Sequence, residues 1–438
     1  MTTNLKRSEV ATRSELLATH SYTVHLDITS APDLAKKTFT STSTVVFDAH
    51  QDADTFIDFI ADSVSEITIN GQSLDPAESF DGARVTFPVK AGSNTLTVTG
   101  QAIYSTSGEG MHRFVDPADD KIYLYTQYEP TDARRVFANF DQPDLKATFT
   151  FSVTAPQDFI VLNNTAPTES QATTPEVAPT AEAATTSAVT HEFATTERMS
   201  TYITCVCAGH YVGAHDTYTR GDLTIPLSVY VRASLAESMD ADNIFTVTKQ
   251  GLDFYHDNFE FPYPWGKYDQ IFVPEYNLGA MENPGLVTFV DSFIYRDAVT
   301  RTEYESRANV ILHEMAHMWF GDLVTMQWWD DLWLKESFAD YMASLALTTA
   351  TEFTDGWVTF ALRRKDWAYR QDQYPTTHPI VADIPDVEAA RLNFDGITYA
   401  KGASVLKQLV AFVGLDAFMA GSRDYFAKHA FGNTTLVD

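Results

Sequence analysis

The run His313-Glu314-Met315-Ala316-His317, followed after eighteen intervening residues by Glu336, constrains the fold more than anything else in the chain. Residues four apart on a helix stand one above the other on the same face, so the two imidazoles can share one metal ion. Glu314 projects beside them, where its carboxylate can take a proton from an attacking water. A catalytic zinc takes three protein ligands and keeps a fourth position open. Glu336 is the best third ligand, provided that Trp333-Leu334-Lys335-Glu336-Ser337-Phe338-Ala339-Asp340 forms a second helix facing the first. Asp340, four residues further on, faces the same way and can orient a zinc histidine by a hydrogen bond. The bland alternative is two surface histidines on an ordinary helix. A glutamate at this spacing on a second helix removes most of it, although Asp340 alone reads equally well as a surface aspartate.

The two helices need a larger body around them. At 438 residues the chain is too long for one core, which points to roughly two or three domains. Between about residues 20 and 212, short alternating runs rich in Val, Ile, Thr and Phe recur, as in Tyr22 to Ile28, Thr44 to Phe47, Glu66 to Ile69 and Thr95 to Val98. Turn signals such as Asn70-Gly71 and Asp81-Gly82 separate them, so an antiparallel β domain is expected over 1–212. Residues 165–190 are nearly all Thr, Ala, Pro, Glu and Ser and are expected to form a flexible loop between two strands. From about 213 strand-like runs, Leu227 to Val231 and Gln270 to Val273, alternate with helical ones, and beyond 300 helices dominate. Thr302 and Glu305 have capping-box spacing, Gly321 can stop the helix that follows, and Asp331 to Leu347 reads as a second, amphipathic helix. The expected fold class is α+β and multidomain, with a mainly helical second domain over 213–438. No internal repeat is visible.

Composition narrows the function. With 44% hydrophobic residues and 13% aromatics the chain can fill large cores. The formal net charge of −29 argues against nucleic acid and anionic membrane surfaces as partners. It serves solubility, and it also favours cationic ligands such as a peptide's free amino group. The only cysteines, Cys205 and Cys207, are too close for an unstrained disulfide and read as small buried residues in a reducing compartment. The N-terminus shows no apolar run, and no stretch of about 18 uninterrupted apolar residues occurs, so a cytoplasmic chain with no membrane span is expected.

A second constellation is Gly279-Ala280-Met281-Glu282-Asn283-Pro284-Gly285. From its residues alone it is a turn with a charge, where glycine permits close approach of a ligand and a carboxylate can grip an amine. Together with the zinc pattern it resembles the aminopeptidase N family of gluzincin metallopeptidases (membrane alanyl aminopeptidase-like). That family carries a Gly-x-Met-Glu-Asn motif about thirty residues before the histidine pair. Gln127-Tyr128-Glu129, Ala133-Arg134-Arg135 and Phe140-Asp141-Gln142-Pro143-Asp144-Leu145-Lys146-Ala147 are similar to the family's N-domain motif, and Thr398-Tyr399-Ala400-Lys401-Gly402-Ala403 to its tyrosine segment. The resemblance runs from about residue 20 to the end, and is to a bacterial cytosolic member.

The resemblance implies a thermolysin-like catalytic domain, one Zn²⁺ per chain on His313, His317 and Glu336, and peptides with a free N-terminus as substrates. It implies that Glu314 and Tyr399 are catalytic, the tyrosine as oxyanion donor. Glu282 and Glu129 would bind the substrate's α-amine with Gln127 beside them, Gly279 and Ala280 its backbone, and Met281 would line the first side-chain pocket next to Asn283. The chain departs from the family in having Lys335-Glu336-Ser337 where Asn-Glu-Gly is usual, and in stopping where relatives continue into a helical C-terminal domain. Three rival readings are a zinc endopeptidase, a relative that also opens an epoxide, and a non-enzymatic scaffold. Neither the preferred N-terminal residue nor the oligomeric state is legible.

Overall fold

The computed structural model describes residues 4–168 and 187–438. The expected strands are present, within Leu17–Asp27, Thr38–Ala49, Ser63–Ile69 and Gly92–Ser105. Their alternation explains them: in Thr38–Ala49 buried Phe39, Val45 and Phe47 face the core, and half-buried threonines face outward. They belong to an eleven-stranded sheet. The sheet is not wholly antiparallel. Leu17–Asp27 pairs in parallel with Thr148–Pro156, and Gly92–Ser105 does so briefly with Gly110–Val115. The first of these pairs brings together segments more than a hundred residues apart, so no hairpin dictates their direction.

Of the segment read as a loop, residues 169–186 lie outside the described residues. Its C-terminal end is strand, because Ala188–Glu192 pairs with Thr148–Pro156. A helix not foreseen, Arg7–Leu16, precedes the first strand. It has almost no apolar stripe, and what fixes it is long-range: buried Arg13 lies 2.7 Å from Asp58 and donates to Gln142.

A second sheet starts immediately after the first. Val206–Gly209 ends in the large sheet, and Tyr211–Arg220 opens a five-stranded one with Leu223–Arg232, Tyr268–Val273, Leu286–Val290 and, at its edge, Ala280–Met281. Helices Ala241–Phe259, Arg301–His317, Trp333–Ala350, Gly402–Val413 and Leu415–His429 follow. The helix carrying the histidine pair starts at Arg301 with Thr300 at its N-cap, two residues earlier than the pair Thr302 and Glu305 suggests; the Thr300 hydroxyl donates to the Glu303 carboxylate and caps no backbone amide. It ends at His317, four residues before Gly321. That glycine sits at φ +135°, and a Cβ there would approach His317 Nδ1 and Lys335 Cβ to 3.2 Å. Trp333–Ala350 is not amphipathic: Lys335, Glu336, Ala339, Asp340, Met342 and Ala346 are all buried, because other helices cover it on several sides. Among the described residues no single helix is long and apolar enough to cross a membrane.

The β domain reaches the site directly. Lys146 Nζ donates to the carbonyls of Asp322 and Leu323, just past the histidine helix, at 3.0 and 3.3 Å. Tyr125 OH donates to the carbonyl of Glu275, and Asn164 to that of Pro284. The loop and edge strand bearing Gly279 to Glu282 are thereby held between the two sheets.

Candidate metal centre and substrate pocket

His313 and His317 project from the last two turns of their helix, with Nε2 atoms 3.1 Å apart. Glu336, in the first turn of Trp333–Ala350, places Oε2 at 3.3 Å from one and 3.4 Å from the other. That oxygen is buried and has no hydrogen-bond partner. The other ring nitrogens are engaged outward. His317 Nδ1 donates to the carbonyl of Phe320 at 2.9 Å, and His313 Nδ1 lies 3.4 Å from Asp340. With the proton on each Nδ1, both Nε2 lone pairs point inward at an unpartnered carboxylate oxygen. Three converging acceptors without a donor fit a divalent cation, and two imidazoles with a carboxylate are a zinc donor set. Burial alone would lower His313, yet Asp340 and Glu336 outweigh it and lift the imidazole to about 10.

The triad opens onto a cavity of about 560 Å³ lined also by Glu314, Tyr399, Glu129, Glu282, Gly279 and Ala280. Burial pushes the Glu314 carboxyl up to about 7, although His313 and His317 pull it down. Tyr399 stands on the π-helical turn Ile397–Lys401, with its ring stacked on His313 at 6.0 Å. Burial, reinforced by Glu336, holds its phenol well above the usual range, so it stays a protonated donor. A Cβ added at Gly279 would meet nothing within 4 Å, so the open space there belongs to whatever enters the cavity.

Not every residue of the motifs faces that space. Along the edge strand Ala280 lines the cavity, so Met281, one residue on, points away and is buried. Gln127 donates to its sulfur at 3.6 Å and accepts from Tyr276 OH, and Asn283 donates to Thr288. Gln127, Met281 and Asn283 thus brace the loop through these hydrogen bonds, and none of the three is among the residues that line the cavity.

Lys335 is the main surprise. Its ammonium is buried and pairs with Glu129, with Glu282 at 2.5 Å and with Glu336 at 3.0 Å. It does not line the cavity, so it holds the three carboxylates from their closed side. Burial opposes its charge, and the three carboxylates outweigh burial and hold it above the usual lysine range. Burial also raises the carboxyls of Glu129 and Glu282. Lys335 and His317 overcome this at Glu282, which is held down, while at Glu129 burial prevails. A signal existed in the sequence: Lys335 stands next to the third ligand, where the family usually has asparagine. Arg364, bound to Asp340, and Glu275, held by His112 at 3.1 Å, carried no such signal.

Two family descriptions match this chain. The Peptidase M1 N-terminal domain covers residues 18–203, and the Peptidase family M1 domain covers residues 244–438. The chain is 51% identical over its whole length to Aminopeptidase N of Streptomyces lividans, and covers 49% of that protein. It is 31% identical to Aminopeptidase 2 of Candida albicans over 98% of the chain and 46% of the relative. Tricorn protease-interacting factor F2 of Thermoplasma acidophilum is 30% identical over 88% of the chain and 46% of the relative. The chain therefore spans about half the length of the curated relatives it matches.

Proposed function

Since the chain belongs to peptidase family M1, whose members are zinc-dependent, we propose that it is a metallo-aminopeptidase that binds one Zn²⁺ and removes the N-terminal residue of peptides. The observation that carries this reading is the presence, in one cavity, of the donor triad His313, His317 and Glu336 and the carboxylate pair Glu129 and Glu282. His313, His317 and Glu336 would hold the zinc, which would supply Lewis-acid polarisation of the scissile carbonyl and a water acidic enough to act as nucleophile near neutral pH.

The chain's own residues do the rest. Gly279 and Ala280 sit at the edge of the five-stranded sheet, where an extended peptide can add as a further strand. Glu129 and Glu282 receive the α-ammonium. Three carboxylates share the single ammonium of Lys335, so the closed end of the cavity keeps negative charge for the substrate's amine. Glu314 takes the proton of the attacking water and returns one to the leaving amine. Tyr399 donates a hydrogen bond to the developing oxyanion, a contribution of roughly 3–4 kcal/mol in comparable sites. We place the protein in the cytoplasm on the buried thiols of Cys205 and Cys207, 3.9 Å apart and unbridged. Peptides with a free N-terminus are its proposed partners, and neither nucleic acid nor membrane is among them.

Comparing an aminoacyl substrate with its N-acetylated form tests the exopeptidase reading. Sites built to bond a substrate's polar group reject analogues lacking it by roughly 10⁴-fold, so the free amine should be cleaved and the acetylated form hardly at all. Equal cleavage of both would make the protein an endopeptidase. Glu336→Ala tests the triad: it should lower zinc affinity in a chelator competition by at least tenfold. Wild-type affinity in that variant would remove Glu336 from the ligand set.

A further inference from the structure

Asp340 has partners on two sides. Its Oδ1 lies 3.4 Å from His313 Nδ1. On the other side the Arg364 guanidinium grips both of its oxygens, Nη2 at 2.7 Å from each and Nε at 3.1 Å from Oδ2. Asp340 is buried, while Arg364 is 35% exposed and forms part of the cavity wall. The same guanidinium lies over Trp367 at 5.0 Å and over Tyr399 at 5.7 Å, and the Tyr399 ring stacks on His313. Arg364 stands on the π-helical turn Phe360–Lys365, Tyr399 on the turn Ile397–Lys401, and His313 on a third element. π-helical turns concentrate at functional sites, where they re-aim a side chain.

One side chain thus touches both the carboxylate behind a metal-ligating histidine and the ring of the oxyanion donor. A monovalent point charge would not do this. Only a planar fork can take both oxygens of a carboxylate while its flat face lies against aromatic rings. We propose that Arg364 is a positioning residue that fixes His313, through Asp340, and Tyr399 in one mutual arrangement. The inference rests on the proposed metal site and adds a residue outside the family motifs. Partners behind a ligand histidine typically contribute 10- to 100-fold in metal affinity or activity.

The test uses the zinc-loaded chain, with zinc release to a chelating dye and steady-state cleavage of an aminoacyl-anilide measured side by side. Arg364→Gln should release zinc roughly 10- to 100-fold faster and lower kcat with little change in KM, since Tyr399 and the metal act in the transition state. Arg364→Lys should fall between, because it keeps the charge and loses the fork. As the effect on zinc passes through Asp340, adding Arg364→Gln to Asp340→Asn should not speed release beyond Asp340→Asn alone. Wild-type zinc release and kcat in Arg364→Gln overturn the inference, as do additive effects on zinc release in the double variant. If Arg364→Gln does not fold, Arg364→Lys decides: parity with wild type in both measurements overturns the inference, and an intermediate loss supports it. A wild-type chain that retains no zinc overturns the metal reading, and this inference with it.

Discussion

Glu314→Gln should retain its zinc and lose about 10³- to 10⁴-fold in kcat, the upper part of the range for a general base. Glutamine keeps the shape of the side chain and its place beside the histidines, but its amide cannot accept and return the proton of the attacking water. The three proposed ligands are untouched, and Glu314 is not one of them. Metal content and KM are therefore expected to stay close to wild type, and the loss should fall on kcat. Zinc analysis of the purified variant together with kcat on an aminoacyl-anilide separates the possibilities. A variant with full zinc and full turnover would remove Glu314 as the base. A variant that has lost its zinc would make it a ligand.

The part of this site that could be read from the sequence is the part in which local periodicity sets geometry. At about 3.6 residues per helical turn, a spacing of four brings His313 and His317 together, and an alternating pattern foretells strands such as Thr38–Ala49. The same alternation, followed residue by residue, also separates Ala280, which lines the cavity, from Met281, which is buried. What could not be read is what tertiary packing alone decides. The helix Arg7–Leu16 exists because Arg13 finds Asp58 and Gln142 far along the chain. Trp333–Ala350 looks amphipathic in isolation, yet its charged residues are buried, each with a partner: Lys335 among carboxylates, Glu336 at the triad, Asp340 between His313 and Arg364. A buried charge is costly unless paired, so the polar face that the sequence suggests is the functional interior of the protein.

Lys335→Met should show how much depends on that pairing. Methionine keeps the length and apolar stem of lysine, so the change removes the charge with little loss of packing. Glu129, Glu282 and Glu336 would then be buried together without their shared cation. Removing one partner of a buried ion pair typically destabilises by about 3–5 kcal/mol, a large share of the roughly 5–15 kcal/mol that hold a domain together. Urea unfolding of the metal-free protein should show that loss, and bound zinc should recover part of it, since a divalent cation answers some of the same charge. The direction of KM then tells on which side of the carboxylates the ammonium acts. Lys335 is not among the residues lining the cavity, so, with Glu129 and Glu282 proposed to receive the amine, it is expected to order them and not to compete with it. Its loss should raise KM. A fall in KM would mean that the lysine occupies the amine's own position, and the assignment of the cavity's closed end to the substrate's N-terminus would have to be redrawn.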